Sequence, residues 1–321
     1  MFHAMSLQFF LLLSLSAALA PATSSVASAS TPAAYTCAGE LNVDVNGAVQ
    51  QWQVVTASSS WEHVAANGSA VSIAYNDRAY LVSHCDVTGG AFSADLFSRR
   101  LPMLGHAWSF TVDLSTAGCG CNAALYAVAM PGVAANGTPS PSSGGDFYCD
   151  ANQVGGIWCT EIDLIEANTA AMAATPHACD APDANGFVAK CDGGGCGMGT
   201  RLNNTLFGPG AAFTINTLLP FDVTTMFPVD TLGNLASVNT LVTQGVASFR
   251  LLHTPDSCGS HWSDTLTPAL MGGMVPTFSL WGGTTSGSDM TWLDVPPCSA
   301  STGCGGDGTF ALFSNLAVKS L

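Results

Sequence analysis

Short segments of alternating or β-branched residues, separated by glycine-containing turns such as Asn46-Gly47 and Gly89-Gly90, recur along the chain. They predict strands at residues 48–55, 70–75, 108–113, 123–130, 212–216, around 241, 273–281, 289–294 and 309–318. A short helix is expected at residues 170–174, ending before Pro176. No long amphipathic helix and no repeat of 20–50 residues is visible. This pattern predicts an all-β domain of two packed antiparallel sheets, a sandwich or jelly roll.

One predicted strand carries an unusual concentration of charge. Three of the 22 acidic residues of the chain, Glu161, Asp163 and Glu166, fall within six positions. Alternation with Ile162 and Leu164 places Glu161 and Asp163 on one face of the strand. Glu166 would point to the opposite face of a regular strand, and one extra residue, a β-bulge, would bring it to the same side.

Three carboxylates on one face repel one another, which raises the pKa of at least one of them. One carboxyl group then stays protonated near neutral pH as a general acid, while a neighbour stays ionised as a nucleophile. Glycoside hydrolysis needs such a pair. An exposed edge strand that happens to be acidic is the alternative explanation of the same pattern.

The start of the chain and its cysteines indicate secretion. Residues 1–22 form an apolar run followed by small residues, which predicts a signal peptide, with a cut near residues 27–29 as the alternative. Residues 23–34 are expected to be flexible, and residues 35–321 to form one catalytic domain. All 12 cysteines follow this leader, and an even number in a secreted chain favours disulfides over zinc sites. The sequence leaves their connectivity open.

The net charge limits the possible partners. Seven Lys+Arg against 22 Asp+Glu give a formal charge of −15, so nucleic acid and anionic membranes would be repelled. A neutral or cationic substrate fits better, and three Asn-x-Ser/Thr sequons at Asn67, Asn136 and Asn203 permit N-glycosylation. We expect no cofactor, no metal, no membrane attachment after signal cleavage, and a monomer.

The acidic strand and its flanks, Phe147-Tyr148-Cys149-Asp150 and Thr175-Pro176-His177-Ala178-Cys179, resemble glycoside hydrolase family 7. That family comprises cellobiohydrolases and endo-β-1,4-glucanases. Further blocks occur in the family's order: Phe110-Thr111-Val112-Asp113, Asn122-Ala123-Ala124-Leu125-Tyr126, Arg201-Leu202-Asn203-Asn204-Thr205, Ser279-Leu280-Trp281 and Thr291-Trp292-Leu293-Asp294. The resemblance implies a concanavalin A-like β-jelly roll whose concave sheet forms a glycan cleft.

The resemblance also implies roles for individual residues. Glu161 would be the nucleophile and Glu166 the acid/base, with Asp163 assisting the nucleophile and His177 supporting the acid/base. Trp281 and Trp292 would lie on late strands as sugar-stacking platforms, and the remaining predicted substrate-binding residues are Tyr126, Tyr148, Asn152 and Arg201. Core packing is the alternative for the aromatic residues, a loop hydrogen bond for His177, and a structural salt bridge for Arg201.

Several departures from the family pattern bear on the substrate. Ile165 replaces the usual tryptophan, and the segment between Tyr148 and Glu161 is much shorter than in the fungal enzymes. Counterparts of the two arginines that hold the leaving-side sugars in cellobiohydrolases are absent. These features imply an open cleft and internal cleavage of a cellulose-type β-glucan. A cellobiohydrolase, a β-1,3- or mixed-linkage glucanase similar to family 16, and a non-catalytic glycan-binding sandwich are the alternatives.

Overall fold

A computed structural model describes residues 32–57, 63–86, 89–203, 205–259, 262–283, 290–296, 298, 303–306 and 308–321. The predicted signal peptide and most of the predicted flexible segment lie outside these residues. Ala33 already donates its backbone N–H to the carbonyl of Gly145. The first strand begins at Ala34, next to the predicted boundary at residue 35.

The described residues form mostly strands. The strands are Ala34–Val45 (β1), Ala48–Ala57 (β2), Val64–Gly68 (β3), Ala70–Ala74 (β4), Asp77–Val82 (β5), Gly90–Ala91 (β6), His106–Asp113 (β7), Cys121–Val128 (β8), Glu161–Ala167 (β9), Met172–His177 (β10), Met198–Gly199 (β11), Phe207–Gly208 (β12), Ile215–Asn216 (β13), Phe221–Met226 (β14), Val238–Gln244 (β15), Ala247–His253 (β16), Val275–Gly282 (β17) and Phe310–Ser320 (β18). Two helices, Pro255–Cys258 (α1) and Trp262–Met271 (α2), follow β16. The sequence pattern did not predict them.

A hydrogen-bonded path runs β11-β10-β9-β8-β17-β5-β2-β1-β3-β4-β18-β7-β14-β15-β16, and it folds back on itself. Its two halves pack face to face, as the rings of Phe278 on β17 and Phe313 on β18 show, with centroids 5.5 Å apart. Alternation along β8 places Leu125 in the main core between the halves and Tyr126 on the other face. The predicted jelly-roll sandwich is therefore confirmed.

The predicted β-bulge is present in β9. Leu125 of β8 pairs with Ile165, but its neighbour Tyr126 pairs with Asp163, so Leu164 is an extra residue. Leu164 and Ile165 are both buried in the main core. Burying an aliphatic side chain of this size contributes about 1.5–3 kcal/mol to the free energy of unfolding, which favours the bulged register. The bulge restores parity, so Glu166 faces the same side as Asp163.

Two predicted elements are wrong. Residues 172–177 form a strand, β10, and not the end of a helix. Pro176 is tolerated there because β11 pairs only with Ala173 and Ala174, so no ladder bond on that side needs its missing N–H. Residues 290–293 form a turn where a strand was expected. Asp289 lies outside the described residues.

All twelve cysteines are paired, as predicted. The disulfides are Cys37–Cys85, Cys119–Cys298, Cys121–Cys304, Cys149–Cys159, Cys179–Cys191 and Cys196–Cys258. Cys149–Cys159 closes the loop that leads into the acidic strand, and Cys121–Cys304 ties a late loop to the neighbouring strand β8. Among the described residues, no helix has the length and apolar character needed to cross a bilayer.

Candidate active site

A cavity of about 860 Å³ lies on the outer face of the half-sheet that contains β5, β17, β8, β9 and β10. Nine of the ten predicted site residues line it: Glu161, Asp163, Glu166, His177, Tyr126, Tyr148, Asn152, Trp281 and Trp292. Arg201 is not among the lining residues. The cavity thus joins predicted site residues that are up to 166 positions apart in the chain, with the bulged strand along its floor.

Each acidic side chain of β9 has a different partner. Glu161 accepts a hydrogen bond from the backbone N–H of Ala151 at 3.1 Å. Glu166 accepts one from Nδ2 of Asn122 at 2.8 Å. Oδ2 of Asp163 lies 2.9 Å from Nε2 of His177. One face of one strand therefore carries three carboxyl groups in three different environments.

His177 is held from both sides of its ring. Nδ1 lies 2.8 Å from the carbonyl oxygen of Asp192, which can only accept, so Nδ1 carries a proton. Nε2 faces the carboxylate of Asp163, and the ring is therefore best described as an imidazolium. Gly195 makes room for it: its φ is +57°, and a Cβ there would lie 2.6 Å from Nδ1.

The structure shows which carboxyl group His177 contacts. Across the strands His177 pairs with Glu161, and its ring bonds Asp163; no hydrogen bond to Glu166 is found among the described contacts. The ring thus contacts the carboxyl group between the two glutamates, and the support of the acid/base by His177 stays a prediction. Its charge still lowers the pKa of both Glu161 and Glu166.

Electrostatics sets the protonation of these groups. Burial, followed by the charge of Asp163, raises the pKa of Glu166 to about 8. Burial and Asp163 also raise the pKa of Glu161, whereas the charge of His177 and the N–H of Ala151 lower it. Burial opposes the charge on His177, but the hydrogen bond and charge of Asp163 outweigh it and raise the pKa of His177 to about 10. At neutral pH the site thus holds a protonated Glu166 beside a cationic His177.

Replacing His177 by asparagine is expected to shift the acidic limb of the pH–rate profile upward by about one unit or more. The imidazolium favours the ionised form of Glu161, so its loss raises the pKa of the group that must be ionised. The measurement is kcat/KM against pH for wild type, His177→Asn and the control His84→Asn, which changes an exposed histidine outside the cavity. An acidic limb that stays in place would contradict this role.

Aromatic side chains form the walls of the cavity. Trp281, on β17, is 41% exposed, and Trp292, in the turn at residues 290–293, is 39% exposed. Such accessible flat rings suit stacking against sugar rings. Tyr126 and Tyr148 are buried, with their hydroxyl oxygens 3.2 Å apart. The interpretation of Trp292 as a strand residue was wrong, although its place in the cavity wall was predicted.

Arg201 lies elsewhere. Its guanidinium is exposed and donates to the carbonyl oxygen of Trp292 at 3.4 Å, so it contacts the backbone that carries a cavity residue. Among the described residues it forms no ion pair. The structure therefore supports neither the cleft donor nor the salt bridge that the sequence suggested.

Sequence reasoning missed several cavity residues. The guanidinium carbon of Arg78 stacks 3.6 Å from the ring centroid of Tyr148, and Tyr80 hydrogen-bonds Asp146 beside it. The carboxyl group of Asp150 has its pKa raised by burial, and its charge acts on Glu161. Asn122, which bonds Glu166, lies four positions before Tyr126 on β8 and therefore faces the same side of the sheet, so strand alternation could have predicted it. Nothing comparable marks Arg78.

Glu161, Asp163 and His177 are also a possible metal-ligand set, since their ligand atoms lie within 4.8 Å of one another. The hydrogen bond between His177 and Asp163 explains the same proximity as an ion pair. The expectation that the protein uses no metal therefore stays a prediction.

Comparisons with known proteins agree with this geometry. The family described as "Glycosyl hydrolase family 7" matches residues 150–255, which include the acidic strand and His177. Endoglucanase EG-1 of Trichoderma longibrachiatum is 33% identical over 254 residues, covering 67% of this chain and 52% of that protein. The chain belongs to glycoside hydrolase family 7.

Other relatives support the same family. Endo-beta-1,4-glucanase celB of Emericella nidulans is 30% identical over 70% of this chain and 64% of its own length. This family 7 chain thus spans about half to two thirds of the length of the curated relatives it matches.

Solved structures show the same fold. A structure of endoglucanase I complexed with cellobiose superposes with a TM-score of 0.71 at 19% identity, covering 89% of this chain and 97% of that one. A family 7 cellobiohydrolase from Daphnia pulex superposes with a TM-score of 0.66 at 18% identity, covering 92% and 98%. Both the endoglucanase and the cellobiohydrolase share the fold, so the fold alone does not separate the two activities.

Proposed function

We propose that this family 7 protein is a retaining hydrolase that cleaves internal β-1,4-glucosidic bonds of cellulose-type glucans. The observation that carries the proposal is the pair Glu161 and Glu166, which share one face of a bulged strand on the floor of an aromatic-lined cavity. A retaining mechanism places its two carboxyl groups about 5–5.5 Å apart, which neighbours on one strand can supply.

The environments of the two glutamates fit two different roles. Glu166, protonated at neutral pH, donates its proton to the glycosidic oxygen as the bond to the anomeric carbon breaks. Glu161 attacks the anomeric carbon and forms a covalent glycosyl–enzyme ester. The ionised Glu166 then takes a proton from water, which attacks the same carbon and displaces Glu161. The released sugar has the original anomeric configuration.

Asp163 and His177 support the nucleophile. Asp163 lies between the two glutamates on the same face, and its bond to His177 fixes its carboxylate. The positive charge of His177 favours the ionised form of Glu161, which the attack requires. The N–H of Ala151 orients Glu161 from the other side. Glu161 is therefore held in place before substrate arrives.

The substrate class follows from the walls of the cavity and from the relatives. Trp281 and Trp292 offer stacking surfaces for glucosyl rings, and the acidic chain favours a neutral polymer. The curated relatives above carry the name endoglucanase. The short segment between Tyr148 and Glu161, with the large exposed fraction of both tryptophans, supports an open cleft and internal cleavage.

We also propose that the protein is secreted and acts as a monomer without a cofactor. Six disulfides persist only in an oxidising compartment. The sequon residues Asn67 and Asn136 are exposed, and each amide oxygen accepts a bond from the hydroxyl of its sequon Ser or Thr. Both amide groups are thus accessible to glycosylation in the secretory pathway.

Product analysis tests the proposal. Purified protein is incubated with carboxymethyl-cellulose, amorphous cellulose, lichenan and laminarin, beside a Glu161→Gln control. We expect mixed oligosaccharides from the cellulosic substrates and none from the control. Cellobiose as the dominant early product would instead indicate a cellobiohydrolase, and activity confined to laminarin a β-1,3-glucanase. Binding without turnover would indicate a glycan-binding protein.

A further inference from the structure

Trp292 lines the cavity from a turn that no strand ladder holds. Trp281, by contrast, lies on β17 and is paired with Asn122 of β8. Side chains on loops move more than side chains on sheets, so a stacking surface on a turn needs other anchors. The residues that flank Trp292 supply them.

The two residues after Trp292 are fixed to the segment that follows the acidic strand. Leu293 is buried in a small apolar cluster with Ala170 and Ala171. Oδ1 of Asp294 accepts from Nδ2 of Asn168 at 2.7 Å, and Oδ2 accepts from the N–H of Gly120 at 3.1 Å. Hydrogen bonds to an ionised acceptor are stronger than neutral ones, so this is a firm attachment.

Asn168 has a single workable orientation. Its Oδ1 accepts from the backbone N–H groups of Ala170 at 2.8 Å and Ala171 at 3.2 Å. Its Nδ2 donates to the carbonyl of Cys121 at 3.1 Å as well as to Asp294. Exchanging the oxygen and nitrogen would break all four contacts. The side chain is fully buried and lies two residues after Glu166, directly beyond the end of β9.

We propose that Asn168 and Asp294 are positioning residues that fix the Trp292 stacking surface relative to Glu166. A glucosyl ring stacked on Trp292 then presents its glycosidic oxygen to the acid at a constant distance. This inference rests on the proposed function, because it assigns Trp292 a sugar ring. Arg201 is a second, weaker brace, since it donates to the carbonyl of Trp292 from the exposed side.

A double-mutant cycle tests the proposal. Asp294→Ala is expected to lower kcat/KM on soluble cello-oligosaccharides about tenfold or more, since small displacements of positioning groups are costly. In a Trp292→Ala background the same change should cost less than about threefold, because the group that it positions is gone. Asp294→Asn should retain part of the activity, since its amide oxygen can replace Oδ1 beside Nδ2 of Asn168, whereas its amide nitrogen would replace the Oδ2 that accepts from the N–H of Gly120.

Controls separate positioning from folding. Asp222→Ala removes an exposed carboxylate that bonds Thr111 outside the cavity, and it should leave kcat/KM unchanged. If Asp294→Ala fails to fold, Arg201→Ala replaces it in the cycle, with a smaller but equally Trp292-dependent loss. Equal losses with and without Trp292, or no loss at all, would overturn the proposal.

The same double-mutant cycle is repeated in the Glu161→Gln background, where the affinity for cellotetraose is measured in place of kcat/KM. If wild type hydrolyses no cellulosic substrate, the proposed function fails, but a Trp292-dependent loss of affinity would still support the positioning role. Loss of both hydrolysis and cellotetraose binding in otherwise intact protein would overturn both.

Discussion

Glu161→Gln is expected to lower kcat on cellulosic substrates by about 100,000-fold or more, since removal of a catalytic nucleophile has effects of this order. Glutamine keeps the shape of the side chain and can still accept from Ala151, so the fold and the sugar contacts remain. The covalent step cannot occur without the carboxylate. The measurement is the initial rate of reducing-end release, alongside the thermal unfolding temperature.

The control for this change is Glu40→Gln, which alters an exposed glutamate that bonds Gln51 and does not line the cavity, and which should leave the rate unchanged. A second variant, Glu161→Ala, identifies the nucleophile by product. With azide and an activated aryl β-cellobioside, the intact acid/base should allow direct attack from the vacated side and give the α-glycosyl azide. A β-glycosyl azide from Glu161→Ala would mean that another residue forms the covalent intermediate.

The acidic strand could be predicted in detail because the alternation of side chains between its two faces allows few arrangements of the three acidic residues. Glu161 and Asp163 share a face in any strand, and only an extra residue turns Glu166 the same way without exposing Leu164 or Ile165. Placing the acidic residues on one face while keeping Leu164 and Ile165 buried therefore requires a bulge, which the structure contains. Local pattern was sufficient here because both faces of the strand are constrained.

Long-range contacts could not be predicted in the same way. Which carboxyl group His177 bonds depends on the register between β9 and β10, and the expected helix at residues 170–174 concealed that pairing. Arg78 reaches the cavity because β5 lies beside β17 in the sheet, although Arg78 and its pairing partner there, Ser279, are 201 positions apart in the chain. The turn that carries Trp292 has strand-like composition, but its anchoring to Asn168 overrides local preference.

Glu166→Gln is expected to lower kcat on cellulosic substrates by about 100- to 10,000-fold, the usual contribution of a general acid. A glucosyl leaving group needs the proton of Glu166, whereas an activated aryl leaving group departs without it. The loss on an activated aryl β-cellobioside should therefore appear mainly in the second, hydrolytic step, and added azide should relieve it and give the β-glycosyl azide. Equal losses on both substrates, unrelieved by azide, would contradict the acid/base assignment.

The pH dependence follows from the same group. Because Glu166 must be protonated and its pKa is raised to about 8, wild type should lose kcat/KM as the pH rises through about 8. Glu166→Gln should lack this alkaline limb in its residual kcat/KM on the same cellulosic substrate. A limb at the same pH in the variant would assign it to a different residue.

At alkaline pH, Glu166→Gln should raise the stability of the protein although it lowers its activity. A carboxyl group whose pKa is raised from 4.5 to about 8 on folding favours the folded state fully only below the lower value, and this contribution is lost as the pH rises through the higher one. As the pH rises from 4.5 to about 8, the unfolding temperature of wild type should therefore decrease relative to that of Glu166→Gln. At pH 9 the variant should unfold a few degrees higher than wild type. Burial of Glu166 thus lowers stability once the carboxyl group ionises, as expected where an ionisable group is buried for catalysis. Parallel melting temperatures of the two proteins across this range would show that burial does not hold the proton.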